Sequence, residues 1–439
     1  MTAGSGRHRH IALFAERGSP LLAALDVGFP PARSSADTPV AAPELVVYGT
    51  TAQLLAAIAS GRFTAAVLDA GTGRVDRDLL HTLAGAEVTT LVIDRRLPRR
   101  DWVALGASAV AGVPADHAAL VDGVQQAPLG RPASPAHRAP FGALIAVIGG
   151  EGTARATTTA VLAQAWADRG EPVVLADLAV HAHQRVLHHV RDDHTGLMDL
   201  LEACRFGPPG SDLIDGTTVP VPARGYRLLP GLVRSSDWIA VRPAALAAAL
   251  DGLRARGTTV VAEVGSDLEG EEATGSIDIA DRNLLARTVV RAADAAVVVA
   301  MASPTGLHDL AALLGDLHDL HDTDTPRPVV VALVATPPRR QPRRRQRAIT
   351  QVRDLLHGHS ATCDPRGVLV LPSAHREEQH HPARRLPRRV GRFGRALAAR
   401  ITELDDAAQP RSPGRAAEPV PVVPGQLGHW LGPDGVDPA

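Results

Sequence analysis

The chain has 439 residues, 21% of them charged, and a formal net charge of −1 at pH 7, which excludes bulk electrostatic attraction to nucleic acid or membrane as its organising principle. Hydrophobic residues make up 45% but aromatics only 3%, so the length allows two or three domains with cores of Ala, Val and Leu. Cys204 and Cys363 fit no metal or redox spacing, and Glu16 interrupts the first apolar run before a secretory signal forms. No window approaches the roughly 20 apolar residues of a spanning helix. A soluble cytoplasmic protein is therefore expected.

From residue 8 to 127, short apolar runs alternate with helical segments. Strands are expected at His10–Ala15, Glu44–Tyr48, Thr64–Asp69, Thr89–Asp94 and Ser108–Val113. Helices are expected at Leu21–Asp26, Ala52–Ser60, Arg77–Leu83, Trp102–Leu105 and Asp116–Gln125. Five strands alternating with helices predict a doubly wound parallel sheet. Residues 128–140 are Pro- and Ala-rich and read as a linker.

Residues 141–406 form a second α/β unit. Ala143–Ile148 is an apolar strand that ends in Gly149, Gly150 and Gly152, followed by Thr157, Thr158 and Thr159 at the start of a helix over Thr157–Asp168. A strand, a glycine-rich loop and a helix N-terminus in this order present backbone N–H groups to a phosphate. The usual loop lysine is absent, but the chain has no lysine at all: its 46 basic residues are arginine. Further strands are expected at Pro172–Asp177, Gly225–Gly231, Thr258–Val264, Ala293–Met301, Val329–Ala335 and Gly367–Pro372, with helices at His194–Ala203, Ala244–Arg256 and Ser303–Leu317. The histidines at 181, 183, 188, 189 and 194 have no Cys or carboxylate pattern around them and read as a solvated stretch. Gly265–Asn283 is acidic and glycine-rich, as a surface loop would be.

The first unit resembles the receiver domain of response regulators, with Asp69 where a receiver carries its phospho-acceptor. The matching Ser/Thr and Lys positions hold Asp94 and Val113, so Asp69 is expected to cap a turn with no cation facing it. In the second unit, GEGTARATTT (150–159) resembles the deviant Walker A loop GKGGVGKTTT of MinD/ParA-type ATPases, with Glu151 and Ala156 at its two lysine positions and Thr157 at the Mg²⁺-binding threonine. Asp177-Leu178-Ala179 stands where that family has Asp-x-Asp, and Glu263 where it has the Walker B acid. The order of elements is similar throughout, and the arrangement as a whole resembles the CpaE/TadZ branch.

What the resemblance implies is ATP with Mg²⁺ as cofactors. They would be bound by Gly149, Gly150, Gly152, Thr153, Arg155, Thr157, Thr158, Asp177 and Glu263, with Thr157 and Glu263 at the metal and no catalytic residue assigned. It further implies a homodimer that positions a septum or a Tad-type pilus or secretion assembly, with hydrolysis slow or absent. The alternative is a working partition ATPase in which Arg155 replaces the lysine and an arginine-rich region binds nucleic acid. From Arg339 to Arg400, sixteen arginines stand against four acids. Within this span Val390, Phe393, Leu397, Ile401 and Leu404 share a helical face, expected to pack as the last helix of the domain or to meet a membrane surface. Residues 407–439 are Pro- and Gly-rich and read as a disordered tail.

Overall fold

The computed structural model describes residues 10–26, 43–95, 100–128, 142–191, 196–320, 328–334, 342–358, 368–371 and 384–408. Most of the linker, Cys363, His194, the end of the strand expected at Val329–Ala335 and residues 409–439 of the tail lie outside these.

The first sheet contains β1 (His10–Phe14), β2 (Glu44–Tyr48), β3 (Ala65–Asp69), β4 (Thr89–Ile93) and β5 (Ala109–Ala111), all parallel in the order β2-β1-β3-β4-β5. Helices α1 (Pro20–Leu25), α2 (Thr51–Ala59), α3 (Arg77–Gly85) and α4 (His117–Gln126) complete it. Val67 and Ile11 pack on one face while Leu68 and Phe14 pack on the other, the alternation a strand covered on both sides requires. The helix expected at Trp102–Leu105 is a turn, because Trp102 is drawn into the core and its indole N–H donates to Asp94 Oδ2 at 2.9 Å.

The second sheet has eight strands: β6 (Leu144–Ile148), β7 (Val173–Asp177), β8 (Val219–Val221), β9 (Tyr226–Leu229), β10 (Thr259–Val264), β11 (Ala295–Met301), β12 (Val329–Val334) and β13 (Val368–Leu371). Their order is β13-β12-β11-β6-β10-β7-β9-β8, parallel except for the edge strand β8, where Pro220 leaves no central ladder short of a donor. The helices are α5 (Arg155–Ala167), α6 (Gln184–Leu187), α7 (Leu197–Cys204), α8 (Ser211–Thr217), α9 (Pro243–Arg254), α10 (Glu271–Thr274), α11 (Ile277–Arg282), α12 (Leu284–Ala292), α13 (Pro304–Leu320), α14 (Pro342–Gly358) and α15 (Arg388–Ala408). α10 and α11 replace much of the loop read at 265–283.

α15 answers the question left by its apolar stripe. Val390, Phe393, Leu397, Ile401 and Leu404 are buried against α5 and the sheet, and a Cβ at Gly394 would stand 2.4 Å from Val161 Cγ1, so that glycine sets how closely the two helices approach. The stripe is core. No helix among the described residues is long and apolar enough to cross a membrane.

The two sheets meet through helix ends. Arg77 donates from its backbone N–H to Arg205 O (2.9 Å) and from Nε to Cys204 O (3.0 Å), capping the carboxyl end of α7. In return Ala244 N–H, at the uncapped start of α9, donates to Asp78 Oδ1 at 2.7 Å, and Arg205 forks onto Asp76 Oδ2 at 3.0 and 2.8 Å. Burial raises the Asp78 carboxyl above the usual range.

Candidate functional site

In the second sheet β6 is flanked by β10 on one side and β11 on the other, although β7 follows β6 in the chain. This is the switch point at which open parallel sheets bind ligands beyond their carboxyl ends. The loop 149–154 leaves β6 there. A Cβ on Gly149 would stand 2.7 Å from Val299 O, so only glycine lets the loop pass β11. Gly152 (φ +73) and Ala154 (φ 62) turn through the left-handed region, and α5 then starts with no side-chain cap. Its first N–H groups remain directed along the helix axis toward the crevice, as in a phosphate loop.

What fills the crevice is protein. The Arg155 side chain turns inward beneath the loop: Nε donates to Glu263 Oε1 at 2.8 Å and Nη1 to Gly149 O at 2.5 Å. Gln184 Nε2 donates to the other oxygen, Glu263 Oε2, at 2.6 Å, and also to Ala156 O at 2.9 Å. Arg155 is 6% exposed, and Glu263 and Gln184 are not exposed at all. Glu263 and Asp177 are register partners on adjacent strands, so two buried carboxyl groups lie side by side, with the Arg155 guanidinium paired to Glu263. Burial first, and then the Glu263 charge, raise Asp177 well above the usual carboxylate range. Its Oδ2 accepts from Gln184 N–H (2.9 Å), while Oδ1 is buried with no hydrogen-bond partner among the described residues.

Among the residues expected to hold a cofactor, Gly149, Gly150, Gly152, Thr153, Arg155 and Thr157 do gather around the loop, and Asp177 with Glu263 form its floor. Thr153 donates its hydroxyl to Gly150 O at 2.7 Å, and Thr157 is buried in the first turn of α5. Thr158 is turned away: it is fully buried and its hydroxyl donates to Ala154 O at 3.0 Å. Glu263, expected at a metal, has both oxygens engaged by Arg155 and Gln184, so this donor set does not fit Mg²⁺. Ala156 offers no cation to a phosphate. Above this floor lies a cleft of about 260 Å³, lined among others by Glu151, Arg155, His181, Asp267, Arg282 and Asn283.

Two positions were not foreseen from the sequence. Gln184 lies in the histidine stretch, and nothing in its local pattern marks it as the second donor to Glu263. His188, from that same stretch, is buried rather than solvated: its ring bonds to Gln184 O (2.9 Å) and Tyr226 OH (2.7 Å). Burial and the Arg224 charge depress it to about 4. Among the described residues no group of His, Cys, Asp and Glu is placed to hold a metal.

The first sheet has a parallel centre at the end of β3. Asp69 is buried, and its Oδ1 accepts from Gly71 N–H at 2.8 Å, capping the turn as expected. The expectation that no cation faces it is corrected by Arg95, whose Nη2 lies 2.7 Å from Asp69 Oδ2 and 2.9 Å from Ser19 Oγ. Ser19 Oγ donates to the same carboxylate oxygen at 2.5 Å.

No protein-family profile matches the chain, and no curated protein sequence does. Solved structures do resemble it. A plasmid partition protein from Borrelia burgdorferi bound to AMPPNP is 12% identical, with a TM-score of 0.41, over 60% of this chain and 99% of that one. The cell division ATPase MinD of Pyrococcus furiosus is 18% identical, with a TM-score of 0.39, over 60% and 100%. An ATP complex of a Cyanothece McdA variant is 13% identical, with a TM-score of 0.41, over 61% and 96%. At these identities the likeness is one of fold alone.

Proposed function

We propose that this chain is a positioning factor built on a phosphate-loop fold whose loop is closed by its own arginine, so that it binds ATP weakly and does not hydrolyse it. One observation carries the reading: the Arg155–Glu263 ion pair, buried under the loop and completed by Gln184, occupies the place where a metal and its phosphate charges would need free carboxylate oxygens. Ala156 and Ala179 stand at the positions of a phosphate-binding lysine and a water-orienting acid and supply neither charge. A protein of this kind acts through surfaces, as a cytoplasmic homodimer marking a site for pilus, secretion or septum assembly. Any membrane contact uses the arginines of α15, because its apolar face is inside.

Calorimetric titration with ATP and Mg²⁺ tests the proposal. The natural chain should bind at best weakly, whereas Arg155→Gly/Ala156→Lys, which opens the floor and restores a cation, should bind tightly. Tight binding with turnover by the natural chain would overturn it.

A second reading is favoured by one feature. Arg388, Arg389, Arg392 and Arg395 are exposed on α15 and form no ion pair among the described residues. Such a stripe suits a phosphate backbone, as in a partition protein that binds nucleic acid. Binding whose logarithm falls steeply with that of salt concentration would support this second role.

A further inference from the structure

The first sheet has a switch point of its own. β1 lies between β2 and β3, so the chain crosses from one side of β1 to the other, and a crevice opens at the carboxyl ends of these strands. Ser19 follows β1, Asp69 ends β3 and Arg95 follows β4, which brings all three to that end. Beside them lies a cavity of about 630 Å³, against about 260 Å³ for the cleft over the closed loop. Its lining includes Gly71, Asp94, Arg95, Arg100 and Trp102. A space of that size suits a small organic molecule better than a lone ion.

The charges on its wall indicate which kind. Asp69 is paired with Arg95, and Glu16, in the loop after β1, lies 3.4 Å from Arg74 Nε. Asp94 accepts the Trp102 indole N–H on Oδ2. Arg95 bonds Asp69 and Ser19 through Nη2, so its Nε and Nη1 donors have no partner among the described residues. Arg100 forms no ion pair among them, and its guanidinium is held 4.3 Å from the Phe206 ring centroid and 5.6 Å from that of Trp102. Two guanidinium groups therefore line one cavity, one anchored by a buried carboxylate and the other by aromatic rings, each with donors to spare. A single fork fills the two oxygens of a carboxylate, whereas a tetrahedral phosphate accepts from two forks at once. We propose that this cavity binds the phosphate ester of a small hydroxylated molecule, its phosphate held by Arg95 and Arg100 and a hydroxyl donating to Asp94. The ester stays intact there. Asp69 already accepts Ser19 and Arg95 on Oδ2 and Gly71 N–H on Oδ1, so neither oxygen is left to attack phosphorus.

The cavity shares no residue with the closed loop, and Phe206 follows α7 of the second unit, so the full chain is the material to test. Calorimetric titration with ribose 5-phosphate in a phosphate-free buffer should show binding at a single site. Arg100→Gln should weaken it by about tenfold or more, the loss of a charged hydrogen-bonding partner, with circular dichroism unchanged because the side chain carries no ion pair. Arg100→Lys, which keeps the charge without the fork, should fall between the two. Inorganic phosphate should compete for the same site at lower affinity, and ribose alone should not bind. No heat at millimolar ribose 5-phosphate, an affinity unmoved in Arg100→Gln, or inorganic phosphate binding as tightly as the ester would each overturn the proposal. A failed ATP titration would leave it standing.

Discussion

Both sheets end a central strand in a buried acid and bring an arginine to it, yet the two centres differ in depth. Asp69 meets Arg95, whose side chain is 30% exposed, and shares that guanidinium with Ser19. Glu263 meets Arg155 at 7% side-chain exposure, with Gln184 completing its second oxygen. Water can replace Arg95 at the first centre. At the second nothing can replace Arg155, so its pair behaves as a lock, and breaking it leaves a charge stranded in the interior.

Substitution should separate the centres clearly. Arg155→Ala should cost about 3–5 kcal/mol in urea unfolding, the penalty for an uncompensated buried carboxylate, and Glu263→Gln in the same chain should recover much of it. A loss below about 1 kcal/mol would mean that water already enters beneath the loop. Acid should find the same centre through His188. Its folded value of about 4 lies below the ordinary 6.5, so the unfolded chain binds the proton first. Stability is therefore complete above about pH 6.5 and falls as pH drops toward 4, by on the order of 3 kcal/mol. His188→Gln should flatten that decline between pH 7 and 5, measured by denaturation at each pH.

At the first centre Arg95→Ala should cost only about 1–2 kcal/mol, because Ser19 and Gly71 still bond Asp69 and solvent reaches the gap. A cost equal to that of Arg155→Ala would abolish the distinction between the two. The smallest effect belongs to the loop backbone. Ala154 sits at φ 62, so Ala154→Gly should raise stability by less than about 1 kcal/mol, the relief of left-handed strain being partly offset by chain entropy. Thermal unfolding would register it.

Much of the fold was legible. β2 runs over Glu44–Tyr48 and β7 ends at Asp177, because apolar runs bounded by Gly, Pro and acids have few other uses in a buried parallel sheet. The expected helix at Trp102 failed because one indole preferred the core and Asp94 to helical spacing. The site was legible as a set of places and not as a set of bonds. Glycines and threonines marked the loop, but Gln184 carries no local pattern, and Arg95 follows its strand like any surface arginine.

By itself the sequence determined the two α/β units, the glycine-rich loop after β6 and the missing lysine, since periodicity and backbone chemistry are local properties. Only the tertiary structure decided that Arg155 points inward to Glu263, that Arg95 caps Asp69 and that the stripe of α15 is core. Each of these depends on which strands lie side by side. Register brings Glu263 next to Asp177 although they are far apart in the chain, and two carboxyl groups in one dry place recruit whatever cation lies within reach.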